Sequence, residues 1–250
     1  MAQLHNYKMM LAYDGTRYGG WQIQPNTQSI QSLVQDAVCR LARAPVKVIG
    51  SGRTDAGVHA LAQIAHFTHD AKIDLYRFIA SMNGLLPIDI RLLCVEEASL
   101  NFHARYSAIG KTYHYHLCLN GPQYPYRRLY QAHIKSKVDL SLLKQAAQLF
   151  IGKHDFTSFA NEAHKGCAAK NAIRTIQSLN VVEEEEGIKL VFQADGFLYR
   201  MVRNIVGTML EVGEGKRELE TIPQLILAKD RSFAGRAAPA HGLFLAHVSY

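Results

Sequence analysis

Two hydrophobic periods alternate along this chain. Tyr7 to Tyr13 reads as a strand that runs into a glycine-rich polar loop, Asp14-Gly15-Thr16-Arg17-Tyr18-Gly19-Gly20-Trp21. From Ser29 to Arg43 the apolar residues Ile30, Leu33, Val34, Ala37, Val38 and Leu41 recur at helical spacing, with Ser29 placed as a cap. Val46 to Ser51 is the next predicted strand and Gln63 to Thr68 the one after it. Leu75, Phe78, Ile79 and Met82 give Asp74 to Leu85 a helical stripe, and Ile90 to Val95 closes the first half. The order is β-α-β-β-α-β, that of the split βαβ, ferredoxin-like unit.

The second half repeats this plan with larger insertions. Ser107 to Leu119 is a predicted strand, Asp139 to Ile151 a helix capped by its aspartate, and Thr175 to Val182 and Ile188 to Ala194 are strands joined by an acidic turn. Helices near Arg200 to Val212 and at Ile222 to Lys229 precede a closing strand, Leu243 to Val248. The expected architecture is α+β, with two similar halves, residues 1–104 and 105–250, whose sheets join edge to edge around a cleft. No Pro/Ser-rich linker marks the boundary, so it rests on topology alone.

Charge narrows the partners. The 250 residues carry a formal net charge of +7, which suits a polyanion without requiring one. The four cysteines, Cys39, Cys94, Cys118 and Cys167, form no C-x-x-C pair and read as buried thiols in a reducing compartment. No apolar run reaches membrane-spanning length and Met1 to Asn6 shows no signal-peptide pattern. The expectation is therefore a cytoplasmic protein, or an organellar one in a eukaryote, with no membrane partner.

Three segments carry candidate chemistry. In Gly50-Ser51-Gly52-Arg53-Thr54-Asp55-Ala56-Gly57-Val58-His59-Ala60, a single carboxylate stands among small residues that let a large substrate approach the backbone. Taken alone, Asp55 also reads as a turn residue capping a backbone N–H. In Lys111-Thr112-Tyr113-His114-Tyr115-His116-Leu117, period-two alternation puts Tyr113 and Tyr115 on one face and the two histidines on the other. Core packing is the default for such tyrosines, and presentation of a ring to a nucleobase is the alternative. The histidines lack a third ligand for a metal and read as a surface or RNA-facing pair. The helix around Met201-Val202-Arg203-Asn204-Ile205-Val206-Gly207 is apolar on nearly every side. Its Arg203 needs a carboxylate or phosphate partner, either Asp55 or some other acid, and Gly207 one turn on leaves space there.

These segments resemble the tRNA pseudouridine synthase A family almost throughout. Gly52-Arg53-Thr54-Asp55-Ala56-Gly57-Val58-His59-Ala60 is similar to its catalytic motif, and Met201-Val202-Arg203-Asn204 to a second motif. Ala12-Tyr13-Asp14-Gly15-Thr16, Lys153-His154-Asp155-Phe156-Thr157-Ser158-Phe159 and Ala238-Pro239-Ala240-His241-Gly242-Leu243 match further ones. Ser29-Ile30-Gln31 stands where Thr-Val-Gln is common, and Ala237 where Thr usually precedes Ala-Pro. His154 and Asp155, adjacent on a strand, point apart, which favours loop ordering over an acid/base dyad.

The resemblance implies the pseudouridine synthase fold, with two ferredoxin-like, RRM-like halves sharing one mixed, mainly antiparallel sheet and a central cleft. It implies isomerisation of uridine to pseudouridine at positions 38 to 40 of the tRNA anticodon stem-loop by a homodimer. Asp55 would be the essential catalytic residue, Tyr113 the ring that stacks on the target base, and Arg203 the partner of the Asp55 carboxylate. Arg53, Thr54, His59, Arg105 and Lys111 are the candidate RNA-binding residues. Arg17, Arg127, Arg128, Lys165, Lys170 and Arg174 are further candidates for the tRNA backbone. The reaction exchanges no electrons or groups, so neither cofactor nor metal is expected. Two other classes fit parts of the sequence: a non-catalytic RNA-binding module, and a metal-dependent nuclease built on Asp55, His59 and His66, for which a carboxylate cluster is missing.

Overall fold

The computed structural model describes residues 4–161 and 171–250; Lys165, Cys167 and Lys170 lie outside them. In chain order the elements are β1 (His5–Tyr13), α1 (Ile30–Ala42), β2 (Ile49–Gly50), β3 (His59–His69), α2 (Leu75–Leu85), β4 (Ile90–Ala98), β5 (Gly110–Leu119), β6 (Ala132–Ile134), α3 (Leu140–Gln148), β7 (Gly152–Asp155), β8 (Ile173–Glu184), β9 (Gly187–Ala194), α4 (Met201–Gly213), α5 (Thr221–Ala228) and β10 (Leu243–Ser249). The fold class is α+β. Two compact units result, Met1–Ile109 with Phe244–Tyr250, and Gly110–Leu243.

In the first unit β1 lies antiparallel between β4 and β3, so Tyr7 faces Glu97 on one side and Phe67 on the other. The closing strand β10 adds parallel to β3 through Phe244↔His59 and Leu245↔Ala60. Alternation along β1 buries Tyr7, Met9, Leu11 and Tyr13, and Phe67 bridges the rings of Tyr7 and Phe78, bringing α2 onto the sheet. Both helices begin as their caps direct. Ser29 accepts the N–H of Ser32 and Asp74 that of Arg77, each cap contributing about 1 kcal/mol.

One predicted strand shrinks. Of Val46 to Ser51 only Ile49–Gly50 pairs with β3, because side chains of α1 take the backbone groups before it. Cys39 Sγ contacts both the N–H and the carbonyl of Val46, Gln35 accepts the N–H of Val48, and the amide of Gln31 donates to the Val48 carbonyl at 2.8 Å. Cys94 is a second correction: it is exposed rather than buried. The register between β1 and β4 slips between Met10 and Leu11, so Leu93 and Cys94 both face outward from the edge strand.

In the second unit β5 pairs antiparallel with β9 (Tyr113↔Phe192, Tyr115↔Leu190) and parallel with the short β6. β9 continues through a hairpin to β8, and β8 pairs with β7. β7 contains His154 and Asp155, expected on a strand, whereas β6 was not anticipated. Three residues are too few for a period to show, and a pairing partner elsewhere in the chain creates it. The core gathers Leu143, Phe150, Phe156, Phe159, Ile176, Leu190 and Phe192 with the inner face of α4, and Gly213 accepts the N–H of the α3 cap Asp139 at 2.7 Å.

Candidate active site

The Asp55 loop connects β2 to β3, and hydrogen bonds hold its backbone at several points. The Trp21 N–H donates to the Thr54 carbonyl at 3.1 Å, and the Val58 N–H returns to the Asp55 carbonyl at 3.1 Å, closing a turn. Gly20 makes the first contact possible: its φ is +93°, and a Cβ there would stand 2.3 Å from the Thr54 oxygen. The amino-terminal glycine-rich loop is thus the cradle of the Asp55 loop.

Beneath the loop runs a buried polar network. Ser51 Oγ donates to Gln63 Oε1 at 2.7 Å, the Gln63 amide donates to the Gly52 carbonyl at 3.0 Å and to the Tyr13 hydroxyl at 3.4 Å, and Tyr13 shares a 2.8 Å hydrogen bond with Thr54 Oγ1. Burial pushes the Tyr13 phenol well above its ordinary pKa, so it serves as a neutral hydrogen-bonding group. Sequence reasoning missed Ser51 and Gln63; Gln63 reads there as one polar residue in a strand.

The loop apex offers Arg53, exposed, and Asp55, half-buried. Thr54 and His59, expected to face RNA, present no such surface. Thr54 is buried against Tyr13, and His59, 1% exposed, accepts the Gly15 N–H on Nδ1 and stacks on Phe244 at 4.5 Å. Arg105 lies on the loop between β4 and β5, its guanidinium 5.7 Å from the Tyr106 ring.

In the second unit Tyr113, 8% exposed, meets Phe197 edge to face at 5.0 Å. Lys111, two residues earlier, is half-buried on the same face of β5. Tyr115 is fully buried and donates to the Pro239 carbonyl at 2.6 Å, and burial raises its pKa. Both tyrosines are buried, Tyr115 completely and Tyr113 nearly so. On α4, Arg203 Nε donates to the Ala238 carbonyl at 2.7 Å while the Ala238 N–H donates to the Arg203 carbonyl at 2.9 Å. This two-way clamp fastens the Ala238–Leu243 motif to the helix.

Gly207 does not leave the open space expected beside Arg203. A Cβ there would lie 1.7 Å from the Arg236 carbonyl oxygen, so the glycine admits the chain that leads to Ala238. Asn204, fully buried one position after Arg203, donates to the carbonyl of Phe159 and to Asn161 Oδ1, and accepts from Arg231. It ties the helix to the central motif. An amide inside an apolar helix was the available sequence signal; nothing marked Arg231.

His116 of β5 pairs with Glu184 at 3.2 Å, its ring 6.3 Å from that of His114, and burial lowers the pKa of both. Asp155 accepts from the N–H and hydroxyl of Thr157 and pairs with Lys229 at 3.0 Å, the loop-ordering role its strand position suggests. Among the described residues no three His, Cys, Asp or Glu side chains come together as metal ligands would. His66, like His59, accepts a backbone N–H on Nδ1, here that of Ala104 at 3.1 Å. No described helix is long and apolar enough to cross a membrane.

Comparison with known proteins shows the family. A family model described as tRNA pseudouridine synthase matches residues 9–107 and 146–250. "tRNA pseudouridine synthase A 1" of Protochlamydia amoebophila is 55% identical over 99% of this chain and 97% of its own length. "tRNA pseudouridine synthase A" of an Exiguobacterium species is 43% identical over 99% and 98%, and a relative from Desulfotalea psychrophila 42% identical over 99% and 100%. These matches, spanning both units, define an RNA-modifying isomerase. The chain belongs to the tRNA pseudouridine synthase A family.

Proposed function

We propose that this enzyme converts uridine to pseudouridine at positions 38 to 40 of the tRNA anticodon stem-loop, in the cytoplasm and as a homodimer, with Asp55 as its essential catalytic residue. The N1–C1′ bond breaks, the uracil turns in place, C5 bonds to C1′, C5 gives up its proton and N1 gains one. Atoms and electrons balance within the substrate, so the reaction calls on no cofactor. Attack at C1′, attack at C6 and proton abstraction to a glycal all need an ionised carboxylate beside the nucleoside. In this reading the first half, residues 1–104, supplies that carboxylate. The second, residues 105–250, supplies the Tyr113 ring as a stacking surface and the Arg203 guanidinium, which aims the Asp55 carboxylate. Flipping the target base out of its stack costs a few kcal/mol, roughly, and Arg53 at the loop apex is suited to hold the emptied position or grip a phosphate.

The observation that carries this reading is the Asp55 loop itself. Its flanking backbone is bonded to Trp21, Val58 and Gln63 while the carboxylate-bearing residue stays half-buried at the apex. Such fixation suits a group that must meet a reacting atom within a few tenths of an ångström. Tritium release from tRNA labelled at uridine C5 tests it, since C5 exchanges its hydrogen for C1′. Wild-type enzyme should release tritium in EDTA. Asp55→Asn should release none while keeping its tRNA affinity, which phosphate contacts over a wide surface provide. Measurable single-turnover pseudouridine formation by Asp55→Asn would overturn the proposal. So would the pattern of a purely structural aspartate, a lowered Tm with normal turnover per folded molecule.

A further inference from the structure

An exposed aromatic ring that is rigidly backed is a different object from one on a loose loop. Tyr106 is 77% exposed, yet its ring lies on His103 with centroids 4.3 Å apart and planes 29° from parallel. His103 in turn contacts His66 at 4.7 Å, and His66 meets Phe102 edge-on at 6.0 Å. Phe102 packs on Tyr250 at 4.9 Å, and the Tyr250 hydroxyl donates to the Ala104 carbonyl at 2.7 Å. A series of ring contacts therefore runs from Tyr250 through Phe102, the buried His66 and His103 and ends at Tyr106.

The backbone of the same turn is bonded from within. His103 Nδ1 accepts the N–H groups of both Arg105 and Tyr106, at 3.1 and 3.2 Å, and the His103 N–H donates to Ser107 Oγ at 3.0 Å. The Ser107 N–H returns to the His103 carbonyl at 2.9 Å, and the Ala104 N–H ends on His66. Five hydrogen bonds hold a turn whose most prominent product is a water-exposed ring. Core stability does not need that ring, because its removal opens no cavity. The Arg105 guanidinium beside it, 5.7 Å from the ring centroid, supplies a cation where a phosphate would follow a stacked base.

We propose that Tyr106 is a nucleobase-stacking platform for the tRNA substrate, preorganised by His103 and His66, with Arg105 beside it for the adjoining phosphate. The inference rests on the tRNA reading above and adds a contact to it: an unpaired or splayed base of the RNA, away from the uridine undergoing reaction. Because the ring is already ordered, stacking costs little side-chain entropy, and the gain per base approaches the upper part of the usual range.

The test measures tRNA dissociation constants over a salt series for wild type, Tyr106→Ala, Tyr106→Trp and Arg105→Ala, with Tm recorded for each and tritium release recorded for wild type. Expected results are a loss of affinity of about 5- to 100-fold for Tyr106→Ala at every salt concentration, and affinity retained by Tyr106→Trp, which keeps a larger face. The slope of log Kd against log salt should be unchanged in Tyr106→Ala and lowered by about one in Arg105→Ala. Three results overturn the platform: wild-type affinity in Tyr106→Ala, a loss in Tyr106→Trp equal to that in Tyr106→Ala, or a lowered salt slope in Tyr106→Ala, which would make the ring a mere support for Arg105. Each can occur with normal tritium release by wild type, whereas absent release would strike the isomerase reading instead.

Discussion

Replacing Gln63 by leucine would test whether the network beneath the Asp55 loop aims the carboxylate or only stabilises the unit. Leucine nearly fills the glutamine's volume, so the change removes hydrogen bonds more than packing. Two hydrogen bonds are lost, from the buried Ser51 hydroxyl and to the half-buried Gly52 carbonyl, while Tyr13 keeps its bond to Thr54. A lost hydrogen bond costs about 0.5–1.5 kcal/mol, so Gln63→Leu should cost about 1–3 kcal/mol. In a chain of this length each kcal/mol lowers Tm by about 2–4 °C, giving a fall of at least about 2 °C.

The double variant sharpens the argument. Ser51→Ala alone removes the hydroxyl that donates to the Gln63 oxygen; in the leucine background that hydrogen bond is already gone. Its cost should therefore be smaller in Gln63→Leu than in wild type, a coupling of about 0.5–3 kcal/mol readable from denaturant melts. Gln63 also anchors Gly52, three residues before Asp55. Turnover per folded molecule should fall by at least about 10-fold on the cost of misplacing a reacting group, while tRNA affinity holds. Additive stability costs would refute the network, and normal turnover in folded Gln63→Leu would reduce it to a structural element.

Tyr113→Phe keeps the ring face and its edge contact with Phe197, so tRNA affinity should persist while isomerisation slows; full activity would remove the hydroxyl from the chemistry. Arg203→Lys keeps a charge but loses the planar fork and the Nε–H that reaches Ala238, so tritium release should drop sharply in a protein that still folds, and wild-type release would free Arg203 from any role in aiming Asp55. His66, His114, His116 and His241 all have pKa values lowered chiefly by burial. The unfolded chain therefore binds more protons than the folded one as pH falls below about 6.5, and stability declines from there through the lower folded values. Tm should be lower at pH 5 than at pH 7.5, and an equal or higher Tm at pH 5 would refute the sign.

Helices and long strands of this protein were legible in its sequence because their causes are local. The caps Ser29, Asp74 and Asp139 each bond the N–H groups their positions predict, and of the stripes that helical spacing selects α1 buries Ile30, Val34, Ala37 and Val38 and α2 buries Phe78 and Met82, while Leu33, Leu41, Leu75 and Ile79 stay half-buried. The β-α-β-β-α-β order of the first half followed from the same periods. Asp55 stood out for a chemical reason equally visible in one dimension, a lone acid among glycines. What the chain order could not disclose depends on pairing at a distance. β6 exists because β5 lies beside it, β10 joins β3 from the far end of the chain, and Val46–Val48 surrendered its strand to side chains of α1. Gly207 looked like room for Arg203 and proved to be room for Arg236. His59 looked like an RNA contact and proved to be a buried acceptor for Gly15, while Gln63, an unremarked polar residue, became the anchor of the Asp55 loop. Period and capping are properties of neighbours in sequence; hydrogen-bond partners of buried polar groups are chosen by which distant backbone the fold brings within about 3 Å, and only the tertiary structure makes that choice.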